Sequence, residues 1–175
     1  MRAARWLLVP LLAIPLGWVL FMGLGRDPSE VPSPLIGKPV PSFALTTLDG
    51  ESFTADDLIG RPAVINFWAS WCIPACVDEH PVLMDIAARY PDEVLLVGIL
   101  YDDTPQDALD FLVRYGDGGW PQVDDPSGSV ALAFGVFFPP ETFFVDADGI
   151  VRAKHYGPLT KASMARNLAL IGVGP

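Results

Sequence analysis

Residues 63–69 and 94–100 are almost unbroken apolar runs, Ala-Val-Ile-Asn-Phe-Trp-Ala and Val-Leu-Leu-Val-Gly-Ile-Leu. Runs of this kind predict strands covered on both faces, as in the parallel part of a sheet. Between them, Val77, Val82, Leu83 and Ile86 recur near helical spacing and predict a helix from just after Cys72 to about Tyr90. Upstream, the stretches 43–48 and 51–54 flank Asp49-Gly50 and predict a β-hairpin, followed by a short connector at 56–60. Thr104-Pro105 has the N-cap and first-turn chemistry of a helix running to about Tyr115. Residues 116–128, rich in Gly, Asp and Pro, read as a loop and 129–134 as a short helix. Strands at 142–145 and 150–154 follow, joined by Asp146-Ala147-Asp148-Gly149, and a closing helix starts at Thr160. The order predicts an α/β fold: a central mixed sheet flanked by helices, with an N-terminal β-hairpin and no internal repeat.

The N-terminal part has a different pattern. Arg2 and Arg5 precede an uncharged stretch over 6–25, closed by Arg26-Asp27. Twenty such residues suffice for one transmembrane helix, and Pro10 and Pro15 would bend it. The basic flank predicts an N-terminus in the cytoplasm and everything after Arg26 exported. A cleaved signal peptide is the alternative, with small residues at Gly23 and Gly25. The run exceeds the roughly 7–15 apolar residues of a signal peptide and lacks Ala-x-Ala, so a retained anchor over 1–26 is expected. Pro28, Pro32, Pro34, Pro39 and Pro41 then predict an extended tether over 27–39, leaving 40–175 as one domain. All 21 acidic residues lie after Arg26, against eight Lys and Arg, a formal charge of −13. That charge argues against nucleic acid as a partner and suits a soluble exported domain.

Cys72 and Cys76 are the only cysteines. They fall where the first apolar strand hands over to a helix N-terminus, in Trp71-Cys72-Ile73-Pro74-Ala75-Cys76. Unpaired N–H groups and the helix dipole stabilise a thiolate there, and the thiolate is the species that attacks in disulfide exchange. A dithiol oxidoreductase is the reading these residues support. Trp68 is expected in the core and Trp71 at the rim of the site. His80, beside Pro81, is expected to be structural. Asp102-Asp103 and Asp124-Asp125 adjoin turn residues, which explains them as turn and cap groups.

Phe67-Trp68-Ala69-Ser70-Trp71-Cys72, Glu79-His80-Pro81, Pro140-Glu141-Thr142-Phe143-Phe144-Val145-Asp146, Asp148-Gly149 and His155-Tyr156-Gly157-Pro158-Leu159 together resemble the thioredoxin superfamily. More closely, they resemble its membrane-anchored DsbE/CcmG branch, the thiol:disulfide oxidoreductases of cytochrome c maturation. The resemblance covers most of residues 36–170. It implies a thioredoxin-like fold, no cofactor and no metal. It also implies apocytochrome c as the protein client, its haem-binding cysteines kept reduced or a mixed disulfide on that route resolved, with electrons from a membrane transporter of the DsbD or CcdA type. Cys72 would be the exposed nucleophile, Cys76 the resolving thiol and Pro140 a cis-proline facing them. Glu141, and with it Glu79, would tune thiol protonation. Trp71, Pro74 and, as a position peculiar to this chain, Pro139 would complete the substrate-facing surroundings, in a periplasmic domain.

Three positions depart from the family pattern. Ala75 makes the motif Cys-x-x-x-Cys; on a helix, residues four apart lie about 6 Å apart by rise, within disulfide reach. Pro139 has no N–H to offer a bound peptide. Asn66 stands where thioredoxin has a buried Asp, and an amide cannot accept the proton of Cys76. The longer spacing also resembles the Sco copper chaperones, in which two thiolates and a distant His hold copper; His155 would be that His. A general exported reductase of the TlpA or ResA kind would differ only in its client.

Overall fold

The computed structural model describes residues 33–174, together with Gly17 and Trp18. The anchor expected over 1–26 therefore lies outside the described residues but for those two, and among the described residues no helix is long and apolar enough to cross a membrane. Every element described below belongs to the unit running from Pro32 to Pro175.

A seven-stranded sheet forms the centre. Its strands are β1 (Ala44–Thr47), β2 (Ser52–Thr54), β3 (Ala63–Trp68), β4 (Leu95–Leu100), β5 (Gln122–Asp124), β6 (Glu141–Val145) and β7 (Val151–Tyr156), in the spatial order β2-β1-β5-β4-β3-β6-β7. The helices are α1 (Ala75–Arg89), α2 (Pro105–Tyr115), α3 (Ser129–Phe134) and α4 (Lys161–Leu170), with a 3-10 turn over Ala55–Leu58. β3 pairs parallel with β4 and antiparallel with β6, so the sheet is mixed. Both apolar runs occupy its middle, and every residue of β3 and β4 is buried, as continuous apolar patterning requires.

Alternation along β3 and β6 sorts side chains between two layers. Phe67 and Phe143 meet Phe134 of α3 in one layer, with ring centroids 5.1–5.7 Å apart. Val64 and Phe144 join Leu83 and Ile86 of α1 and Met164 and Leu168 of α4 in the other. Thr104 caps α2, its Oγ1 accepting from the Asp107 N–H at 3.2 Å. Asp125 holds the start of α3, its Oδ2 accepting from the Val130 and Ala131 N–H groups at 2.9 Å.

Two expectations need correcting. The loop over 116–128 contains β5, which pairs with β4 on one side and β1 on the other and so joins the hairpin to the sheet. Three residues are too few to show a period, and β5 is set by its neighbours. Gly98 of β4 leaves room for the Gln122 side chain, which accepts the Trp68 indole N–H at 2.9 Å. The second correction is the tether, whose described part is already docked. The Gly37 N–H donates to the Val151 carbonyl at 2.8 Å, the Val40 N–H to Gly149 at 2.9 Å, and Pro39 bridges Ile150.

Candidate active site

β3 ends at Trp68, and the next residues turn out of the sheet into α1. The Cys72 N–H donates to the Ala69 carbonyl at 3.2 Å, and the Cys76 N–H donates to the Cys72 carbonyl at 2.8 Å. The second bond spans four residues, so the extra Ala75 is absorbed as one helical turn. Cys72 and Cys76 form a disulfide with their Cα atoms 5.4 Å apart. The Ile73–Pro74 and Pro139–Pro140 peptide bonds are both cis.

In this oxidised form both cysteines are almost closed off, at 5% and 3% exposure, so exposure does not single out Cys72 as the nucleophile. Their surroundings do distinguish them. Cys72 lies between Trp71 and Ile73, which are 42% and 60% exposed. Cys76 instead backs onto a small cavity of about 10 Å³, lined by Asn66, Trp68, Glu79, His80 and Gln122 among others. That volume matches a single water molecule.

Glu79 lies three residues after Cys76 on the same helix face. It is 1% exposed, with Oε1 accepting from the Asn66 side-chain amide at 2.8 Å and Oε2 from the Leu159 N–H at 2.9 Å. Burial pushes its carboxyl up from 4.5 to about 7, against the opposing pull of the Leu159 and Asn66 hydrogen bonds. Asn66 also donates to Thr142 Oγ1 at 3.0 Å. His80 is buried, its Nε2 2.8 Å from the Gly116 carbonyl and its ring against Phe111 and Trp120, which is a structural position.

Glu79 has a consequence for stability that can be measured. The unfolded carboxyl loses its proton near 4.5, whereas the folded one keeps it to about 7, so between these values the native state binds more protons. The contribution of this group is complete below the lower value and is lost as pH rises through the higher one, a change on the order of 3 kcal/mol. Urea unfolding of the oxidised protein between about pH 4 and pH 8 should show this decline. Glu79→Gln should flatten it, and an unchanged slope in that variant would refute the assignment.

Glu141 opens β6 and is 2% exposed. Oε1 accepts from the Phe137 and Phe138 N–H groups at 3.0 and 3.3 Å. Oε2 is in direct ion-pair contact with the Lys154 ammonium, at 2.6 Å. Lys154 also donates to the Gly135 carbonyl at 2.8 Å and sits 4.9 and 4.3 Å from the ring centroids of Phe143 and Tyr156. Glu141 pairs in register with Phe67, and Thr142 with Asn66. The two acids singled out from the sequence therefore lie on opposite faces of the sheet.

Lys154 and Gln122 carry no signal in the sequence, and Leu159 appears there only as the end of the motif over 155–159. Lys154 sits on a strand whose alternation reads as solvent-facing, and its role becomes visible only once β6 and β7 are paired. His155 has its Nε2 3.4 Å from the Pro158 carbonyl, and no group of three metal-binding side chains gathers among the described residues.

A family model described as Redoxin matches residues 35–169. A thiol:disulfide interchange protein DsbE of Allochromatium vinosum is 42% identical over 160 residues, covering 90% of this chain and 87% of that protein. The chain belongs to the redoxins of the DsbE type. DsbE of Escherichia coli K12 is 40% identical to this redoxin over 162 residues, covering 87% of this chain and 85% of that one. Among solved structures, MTB dsbF superposes with a TM-score of 0.68 at 38% identity, over 73% of this chain and 94% of that chain. A thiol:disulfide interchange protein of the thioredoxin family from Chlorobium tepidum has a TM-score of 0.67 at 26% identity, over 76% and 94%. This redoxin has a thioredoxin-like fold and is a thiol:disulfide oxidoreductase acting on protein thiols through Cys72 and Cys76.

Proposed function

We propose that this redoxin is an exported reductant of protein disulfides, with apocytochrome c as its client and a membrane transporter of the DsbD or CcdA type as its electron source. The observation that carries the reading is the asymmetry of the pair: Cys72 beside exposed Trp71 and Ile73, Cys76 against a small cavity shared with Glu79. The Cys72 thiolate attacks a client disulfide, forming a mixed disulfide and releasing one client sulfur as thiolate. Cys76 gives up its proton and attacks the Cys72 sulfur. The second client thiol is released and the Cys72–Cys76 disulfide forms, so the client gains two electrons and the redoxin loses two.

Glu79 is the acceptor proposed for the Cys76 proton. A carboxyl pushed up to about 7 takes and returns a proton near neutral pH, which Asn66 cannot do. Glu141, with its oxygens engaged by Lys154 and the loop over 137–138, acts on the site through the loop it holds. Pro74 and Pro140 shape the turn and loop on either side of the thiols, and residues 1–26 anchor the domain on the periplasmic side of the inner membrane.

The test is electron transfer from the fully reduced, full-length protein to an apocytochrome c whose haem-binding cysteines are oxidised. Thiol trapping should show stoichiometric reduction of the client and oxidation of the redoxin. A client that stays oxidised, or electrons flowing the other way, would overturn the proposed direction.

A further inference from the structure

Beside the dithiol, three loops meet, formed by residues 69–74, 101–103 and 135–140. Rings bind the first loop to the other two: Trp71 lies 5.5 Å from Phe138 of the third and 6.4 Å from Tyr101 of the second, centroid to centroid. Hydrogen bonds hold the arrangement in place. The Trp71 indole N–H donates to the Asp102 carbonyl at 2.9 Å and the Tyr101 hydroxyl to the Phe137 carbonyl at 3.2 Å. Yet the rings are not covered: Phe137 is 86% exposed, Phe138 60% and Trp71 42%, with Ile73 at 60%. Exposed large apolar side chains gathered in one place mark a contact surface.

From this we propose that the rim docks an extended, cysteine-bearing segment of a client protein in which the cysteine is flanked by an apolar and a cationic residue. The inference rests on Cys72 and Cys76 being the reacting pair. Its first support is the hydrogen-bond inventory of the loop over 137–140. The N–H groups of Phe137 and Phe138 are both taken by Glu141, and Pro139 and Pro140 have none. The Phe137 and Pro140 carbonyls accept from Tyr101 and from the Gly157 N–H. Only acceptors, such as the Phe138 carbonyl, remain for a client, and a two-way backbone ladder cannot form. Affinity therefore falls to side chains, and the rings are what the rim presents. Because Trp71, Tyr101 and Phe138 are already packed against one another, little ordering entropy of these three rings opposes binding.

The second support is charge. The three loops contain Asp102 and Asp103 and no Lys or Arg. Asp103 is turned inward, accepting from the Ser70 N–H at 2.5 Å and the Thr104 N–H at 2.8 Å. Asp102, held at a φ of 46°, is exposed beside the Trp71 indole that its carbonyl receives. A lysine or arginine next to the client cysteine would meet this carboxylate and an aromatic face together, while a glutamate there would be repelled.

The test uses reduced full-length protein and three synthetic peptides. Each carries one cysteine as its mixed disulfide with 2-mercaptoethanol, flanked by Lys and Phe, by Glu and Phe, or by Lys and Ser. In each reaction the peptide thiol and 2-mercaptoethanol are released and the Cys72–Cys76 disulfide forms. Second-order rate constants are expressed relative to that for hydroxyethyl disulfide, so that changes in thiol reactivity cancel. The Lys/Phe peptide should react about tenfold faster than the Glu/Phe peptide at low salt, a ratio that shrinks at high salt. Its advantage over Lys/Ser should fall in Phe138→Ala, and its advantage over Glu/Phe should fall in Asp102→Asn. Three relative rates within twofold of one another would overturn the proposed surface while leaving the dithiol reading intact. A reduced protein inert toward hydroxyethyl disulfide would instead overturn the dithiol reading and the surface with it.

Discussion

Cys76→Ser is expected to turn the protein into a covalent trap. Cys72 would still attack a client disulfide, but nothing would resolve the mixed disulfide, which should accumulate one to one and disappear with excess dithiothreitol. Cys72→Ser should form no such adduct, because Cys76 is buried against the small cavity it shares with Glu79. Either substitution should lower multiple-turnover reduction on the order of 10³-fold or more, since nucleophile and resolver act as a unit. Non-reducing electrophoresis and mass spectrometry decide the assignment. An adduct on Cys72→Ser but not on Cys76→Ser would reverse the roles of the two sulfurs.

Lys154→Met is expected to be the most damaging single change outside the dithiol. It leaves the Glu141 carboxylate 2% exposed with no cation against Oε2. Breaking a buried pair from one side costs about 3–5 kcal/mol, a large part of the stability of an ordinary domain. The midpoint of thermal unfolding should fall by roughly 10 °C. Glu141→Leu combined with Lys154→Met should cost clearly less than the two single changes added, because no charge is then stranded. Additive losses in that cycle would show that the ion pair is not the origin of the effect. Amide exchange at Phe137 and Phe138 should rise in Glu141→Leu, since their N–H groups lose their shared acceptor.

The parts of this molecule legible in the sequence are those written in adjacent residues. The strands at 63–68 and 95–100 are buried on both faces and so appear as uninterrupted apolar runs. Thr104-Pro105 and Thr160 announced their helices through cap chemistry that needs no distant partner. The thiol pair was legible for the same reason, its two members being one helical turn apart.

What escaped depends on partners far along the chain. Gln122-Val123-Asp124 is a strand because β1 and β4 are on either side of it. Lys154, in Val-Arg-Ala-Lys-His-Tyr, has the look of a solvent-facing lysine until Glu141 is found beside it. The segment over 33–39, extended in appearance because of its prolines, is fixed by hydrogen bonds to residues 149–151. Glu141 follows Pro140 directly, and the family resemblance implied that it tunes the thiols. One residue of register sends its side chain to the other layer instead.

That single step of register also separates two kinds of variation open to this protein. Glu79, with its adjustable proton, and Glu141, with its fixed ion pair, are insulated from each other by the thickness of the sheet. Residues 137 and 138 hang from the second, through their N–H groups. Client preference can therefore drift by changes in those rings without disturbing how the sulfurs trade protons, and a lineage can acquire new clients while conserving its electron chemistry.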